Sequence, residues 1–185
     1  MEKKKLGIDL DTTLNNLNEV WLERYNQDYG DNLTEWIGWD IHNHIKSECG
    51  HKIYNYLKEP DFFYNLDIRE NAAEVIDYLL EYFEIYIPSA YVAEACLDKV
   101  KWINKYLPNI KTENIIFIND KSLLELDYLI DDGPHNIQTF SPFKDAIIYD
   151  MPYNRYLDHD GFQTWPRIKN WLEIKELFEN EYINK

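Results

Sequence analysis

Little in this 185-residue chain interrupts or crosslinks a backbone. Its six glycines and seven prolines are too few and too scattered for a low-complexity linker or a fibrous repeat. Two cysteines, Cys49 and Cys96, cannot build a disulfide framework, which points to a reducing compartment. No stretch approaches the ~20 apolar residues of a membrane span. The opening segment, MEKKKLGIDLD, carries lysines but no apolar run of signal length, so the expected location is the cytoplasm. Positive charge is also scarce: 19 Lys and Arg stand against 34 Asp and Glu, a net charge of −15. Such a chain is repelled by a nucleic-acid polymer and by an anionic membrane. One small anionic ligand remains compatible, because a bound metal ion reverses the sign of the local field.

What is present is a globular composition, 45% apolar and 29% charged, with an unusual share of aromatics at 16%. The length suits one domain with a modest insertion. Leu6 to Leu10 reads as a short buried strand. From Asn15 to about Asp67 the texture changes to Trp, Tyr, Asn and His. The loose helical spacing of Val20, Tyr25 and Tyr29 suggests a mostly helical insertion. After it, Asn71 to Phe83 has apolar residues at 72, 75, 76, 79, 80 and 83, one face of a helix. Strands are expected at Glu84–Pro88, Asn114–Ile118, Asp127–Ile130 and Ala146–Tyr149. A second helix is expected over Ala93–Leu107 with Cys96, Val100, Ile103 and Leu107 inward. A last one is expected from about Arg167 to Glu179 with Ile168, Trp171, Leu172 and Phe178 inward.

Short apolar strands alternating with amphipathic helices specify an α/β fold with a parallel sheet covered on both faces. Ligands of such sheets sit at the carboxyl ends of the strands. There the chain places Asp9 and Asp11 after the first strand, Ser89 after the second, Lys121 after the third, and Asp131 and Asp132 after the fourth. Asp9 and Asp11, two apart on a strand, point to one side. They repel each other unless a cation or a proton intervenes. With oxygen donors alone the expected ion is hard, and Mg²⁺ is the usual choice when a phosphate completes its shell.

Each residue also has a plainer reading. The first acidic pair can cap a turn, Ser89 can cap the next helix, Lys121 can be a solvated loop lysine, and DDGP is a good turn. Lys99 is a second candidate for the phosphate. His42, His44, Cys49 and His51 are zinc-type ligands whose spacing matches no familiar site. Trp36, Trp39, Tyr54 and Tyr56 can stack on a nucleobase or simply pack.

The string DLDTTL after an apolar strand resembles the first motif, DxDx[TV], of the haloacid dehalogenase-like phosphohydrolases. Ser89, Lys121 and Asp131–Asp132 match the remaining motifs in order. The stretches EPDFFYNLDIRENAAEVIDYL and IIFINDKSLLELDYLIDDGPHN are similar to the 5'(3')-deoxyribonucleotidase group. The resemblance implies a three-layer Rossmannoid core over residues 1–14 and 68–185, with a small helical cap, 15–67, inserted after strand 1. It implies a Mg²⁺-dependent phosphomonoesterase acting on a small phosphate ester, most specifically a deoxynucleoside monophosphate. Asp9 would be the nucleophile and Asp11 the general acid–base. Asp9, Asp11 through its carbonyl, and Asp132 with its neighbour Asp131 would form the metal site. Asp11, Ser89 and Lys121 would hold the phosphate. A homodimer is compatible with this reading.

The chain departs from the group at Thr12, where a Gly is usual, at Pro88-Ser89-Ala90, where Thr or Thr-Ser is common, and near Leu17, where an aromatic is expected. The alternatives are a phosphatase of the same fold for another ester such as a sugar phosphate, or a non-catalytic acidic binding protein. Asp11 argues against a dehalogenase, because halide leaves without an acid. A phosphoacceptor signalling domain would need its lysine after the second acidic group, and Lys121 precedes it.

Overall fold

A computed structural model describes residues 3–140, 145–159 and 165–183. Six strands form one parallel sheet: β1 (Lys4–Ile8), β2 (Phe83–Ser89), β3 (Ile115–Phe117), β4 (Tyr128–Asp131), β5 (Asp145–Tyr149) and β6 (Arg167–Ile168). Their order is β3-β2-β1-β4-β5-β6. The chain therefore builds outward from β1 in one direction, returns, and builds outward from β4 in the other. The reversal lies between β1 and β4, the place where open parallel sheets leave a crevice beyond their carboxyl ends.

Alternation along the strands fills two layers. Leu6, Ile8, Ile85, Ile87, Ile130, Ile147 and Tyr149 belong to the larger apolar cluster. Helices α2 (Ala72–Leu79), α3 (Cys96–Tyr106) and α5 (Trp171–Phe178) join it through Val75, Ile76, Leu79, Trp102, Ile103, Trp171, Ile174 and Phe178. Leu129, Ala146 and Ile148 point the other way and meet Ile137 and Phe140 of α4 (Pro134–Phe140). Both faces are thus covered, as near-continuous apolar strands require. Between β1 and β2 the chain makes helix α1 (Leu17–Tyr29) and then 3₁₀ turns at Ile41–Asn43 and Gly50–Lys58. The expected helical character of this stretch is divided between that α-helix and the tighter 3₁₀ turns.

Three local expectations change. Arg167 and Ile168 are not helical, because pairing with Ile148 and Tyr149 draws them into the sheet. The helix starts only after Asn170, whose side chain accepts the Glu173 amide at 3.0 Å while Glu173 accepts the Lys169 amide. Leu172 is consequently 55% exposed, and Ile174 takes the inward position. On α3 the buried face carries Asp98, Lys99, Trp102 and Ile103, with Cys96 only half-buried. Two polar side chains occupy that face because each has an internal partner: Asp98 accepts the Asp61 amide, and Lys99 reaches Asp11.

Gly7 lets β1 run unobstructed between its neighbours. A Cβ there would sit 2.5 Å from Leu126 Cδ1 and 3.2 Å from Leu129 Cδ1. Gly7→Val is predicted to destabilise the protein by about 1–3 kcal/mol. Chemical denaturation reads this directly, and an unchanged midpoint would contradict the packing described.

Candidate active site

The sheet's carboxyl edge gathers all six motif residues, four in a buried cluster and two in a group beside it. Asp9 follows β1, its amide donating to the Ile130 carbonyl at 2.9 Å, so the β1–β4 ladder itself aims it. Asp131 closes β4 and Asp132 follows. Single carboxylate oxygens of Asp9, Asp131 and Asp132 all lie within 4.8 Å of one another, and all three residues are buried. Lys121, 2% exposed, donates to Asp9 and, at 2.6 Å, to Asp131. The solvated-lysine alternative is therefore excluded. Asp131 is further held by the Gly133 amide at 2.7 Å and by the Asn136 amide group at 3.1 Å. Asp132 accepts from Thr13 Oγ1 at 3.2 Å and from the Tyr153 hydroxyl, while Asn154 fixes its main chain by donating to its carbonyl at 2.8 Å.

Asp11 belongs to a second, adjacent group. Its Oδ2 accepts from Lys99 Nζ at 2.5 Å and from Ser89 Oγ at 3.3 Å. Lys99 also donates to Ser89 Oγ at 2.9 Å and to the Ala90 carbonyl at 3.2 Å. Ser89 is not a helix cap: α3 begins seven residues later, after Ala95. The second hydroxyl-bearing position of the motifs thus faces the Asp11–Lys99 pair.

Between the sheet edge and the 15–67 stretch lies a cavity of about 360 Å³. Asp9, Asp11, Lys121, Asp131 and Asp132 form its floor, and Trp21, Trp39, Ile41, Tyr54 and Leu57 its wall. Of the four aromatics singled out in the sequence, Trp39 and Tyr54 line it. Trp36 packs on Trp21 and Tyr25, and Tyr56 donates to Asp28. Trp39 reaches across to His135 and Tyr153, with ring centroids 4.8 and 5.6 Å apart. The zinc alternative fails among the described residues. His42 stacks on His51 at 3.9 Å and meets the Tyr54 hydroxyl, His44 packs on Gly38, and Cys49 is buried elsewhere.

Residue 12 explains one departure from the family pattern. Thr12 has φ +69°, a conformation that suits glycine and strains a β-branched residue. Its amide donates to Asn15 Oδ1 at 3.0 Å and its carbonyl accepts from Arg69 Nε at 2.9 Å, contacts that hold the turn.

Electrostatically the buried cluster is unbalanced. Three carboxylates face the single Lys121 ammonium, so full ionisation leaves two negative charges uncompensated among these four groups. Burial pushes the Asp9 carboxyl well above its ordinary range, opposed by Lys121 and reinforced by Asp131, Asp132 and Asp11. Burial, with Asp131 beside it, pushes Asp132 up to about 7 against the hydrogen bonds from Tyr153 and Thr13 and the charge of Lys121. Lys121 is raised despite burial, because Asp131 and Asp9 outweigh the desolvation. A hard divalent cation on oxygen donors answers both the charge and the donor chemistry, so the cluster fits a metal.

Comparison with solved structures defines the class. A haloacid dehalogenase-like hydrolase from Streptococcus pneumoniae superposes with a TM-score of 0.65 at 11% identity, covering 95% of this chain and 98% of that one. A second such hydrolase, from Burkholderia xenovorans, gives 0.64 at 9% identity, covering 96% and 97%. The fold is that of the haloacid dehalogenase-like hydrolases.

Within that class, the family model described as 5' nucleotidase, deoxy (pyrimidine), cytosolic type C protein matches residues 3–181, and the chain belongs to this family. It is 44% identical over 182 residues to the 5'(3')-deoxyribonucleotidase of Clostridium acetobutylicum, covering 97% of each chain. It is 29% identical over 178 residues to that of Bacillus subtilis, covering 94% of this chain and 97% of the relative. The protein is an enzyme, a phosphatase of this family.

Two groups have no motif signal in the sequence. Tyr153 and Asn154 follow β5, a strand whose carboxyl end carries none of the motif residues. Asn136 lies three residues past DDG, where turn chemistry masks helix α4.

The raised carboxyls set a pH dependence. Asp132 and Asp9 hold protons more tightly folded than unfolded, so their contribution to stability is complete at low pH; that of Asp132 is lost as pH rises through about 7, and that of Asp9 is lost in the same direction. Asp31 and Asp150 are shifted downward, and their contribution is already complete above about pH 5. In chelator, the melting temperature is predicted to fall between pH 5 and pH 8, and added MgCl₂ to restore most at pH 8. A profile that rises over this window would contradict the buried charge surplus.

Proposed function

We propose that this phosphatase hydrolyses deoxynucleoside monophosphates to nucleoside and inorganic phosphate through an aspartyl-phosphate on Asp9, with Mg²⁺ as cofactor. The observation that carries the reading is the meeting of Asp9, Asp131 and Asp132 around Lys121 at the floor of a cavity walled by aromatics. In this reading residues 1–14 and 68–185 form the core domain and residues 15–67 a cap that supplies the cavity wall. Two free thiols suit a reducing compartment, and the cytoplasm is the proposed location.

Asp9, the Asp11 carbonyl and Asp132 would hold the Mg²⁺, with Asp131 fixing Lys121 beside them. When bound, the ion supplies positive charge to the phosphate oxygens and keeps Asp9 ionised. Asp9 attacks phosphorus in line, forming the Asp9–phosphorus bond as the ester P–O bond breaks. Asp11 gives its proton to the departing sugar oxygen. It then takes a proton from water, whose oxygen attacks phosphorus and releases phosphate from Asp9. Lys121, already against Asp9, neutralises charge developing on the transferred group. Trp39, Tyr54 and Trp21 offer flat apolar surface to a base, since every base has a π face. That wall favours a nucleotide over a sugar phosphate.

With MgCl₂, deoxynucleoside monophosphates are predicted to turn over faster than sugar phosphates; the reverse order would assign the cavity to another ester. Asp9→Asn is predicted to lower kcat by a factor on the order of 10³ or more while leaving the protein folded, as circular dichroism would show. Retained turnover would remove Asp9 as nucleophile. Excess EDTA should abolish activity and MgCl₂ restore it; indifference to both would remove the metal.

A further inference from the structure

Two buried lysines stand at this sheet edge, and the reaction above uses only one. Lys99 is 1% exposed and lies on α3, away from the strand ends that carry the motifs. It is not among the residues that line the cavity. Its ammonium sits 4.5 Å from the centroid of Phe63, a ring that is itself buried. Its three hydrogen-bond acceptors are Asp11 Oδ2, Ser89 Oγ and the Ala90 carbonyl, all at the end of β2 or at the acid–base candidate. An ammonium has three protons to give, and this arrangement occupies all three.

Asp11 shows the complementary half of the pattern. Its Oδ2 is tied to Lys99 and Ser89, whereas its Oδ1 is buried and has no hydrogen-bond partner among the described residues. Asp11 lines the cavity. One oxygen is thus held by two donors, and the other is enclosed without one. A carboxylate on a short side chain next to three other acidic groups would otherwise swing toward the cation site. The Lys99 contact opposes that swing by holding Oδ2 against Ser89 and the end of β2.

We propose that Lys99 is a positioning residue that clamps Asp11 Oδ2 and so fixes the orientation in which Asp11 meets the oxygen of the departing group. The inference rests on the phosphatase reading in which Asp11 is the general acid. It separates Lys99 from Lys121, which acts on the transferred phosphoryl group itself.

The two roles differ in how they depend on the leaving group. An alkoxide leaving from a nucleoside monophosphate needs a proton as the P–O bond breaks, whereas p-nitrophenolate departs without one. A group that aligns the acid matters for the first ester and little for the second. A group that supports the phosphoryl transfer or the fold matters for both. The ratio of kcat/KM values on one preparation also cancels any loss of active protein, and kcat/KM ends at formation of the aspartyl-phosphate.

Lys99→Met is predicted to lower kcat/KM for a deoxynucleoside monophosphate about 100-fold and that for p-nitrophenyl phosphate by less than about 5-fold, a bound set by the spared acid step. Lys99→Arg keeps the buried charge but replaces a compact three-way donor with a planar fork. It should show the same selective loss at smaller size, and it serves as the readout if the methionine variant does not fold. Equal losses on both esters, or no loss on either, would overturn the positioning role. Wild-type enzyme that hydrolyses neither ester would instead refute the phosphatase reading.

Discussion

The organisation of this molecule depends on one electrostatic imbalance. Three buried carboxylates from the ends of two adjacent strands converge on one ammonium, and neither the burial nor the convergence is relieved by the protein alone. A fold that was only packing would not assemble such a group, because each unpaired buried charge costs several kcal/mol. The pairing of β1 with β4 places it, since the Asp9 amide continues the ladder to Ile130 and Asp131 ends the neighbouring strand. Hydrogen bonds from Thr13 and Tyr153 to Asp132, and from Gly133 and Asn136 to Asp131, then hold those two carboxylates against their neighbours' repulsion. The site keeps a surplus of negative charge that a divalent cation would offset.

Around that cluster the other parts take separable tasks. Lys121 compensates charge within the cluster, while Asp11, Lys99 and Ser89 form a separate hydrogen-bonded group beside it. The aromatic wall closes the cavity from the opposite side, and Trp39, contacting both His135 and Tyr153, links that wall to the residues that hold Asp132. Side chains distant in sequence thus meet at the carboxyl edge because the strand order reverses there.

The core strands were legible because their residues are β-branched or aromatic runs ended by polar breaks, and the motif residues because each sits at such an end. The edge strand Arg167–Ile168 was not, since two residues carry no periodicity and only pairing with β5 defines them. Helix α4 was hidden by the turn chemistry of DDGP, although Pro134 suits the first position of a helix. Lys99 was visible as a candidate for the phosphate, but its true partner depends on the angle at which α3 crosses β2. Tyr153 had no local signal at all: only the three-dimensional closure of the Pro152–His159 turn brings its hydroxyl to Asp132.

The central claim is that Asp9 attacks phosphorus beside a divalent cation held by Asp132. A crystal structure of the enzyme soaked with MgCl₂ and beryllium fluoride tests it most directly. The account predicts a trifluoroberyllate bonded to a carboxylate oxygen of Asp9, with Mg²⁺ touching both that group and Asp132. A fluoroberyllate on another residue, or a cation bound away from Asp9 and Asp132, would contradict it.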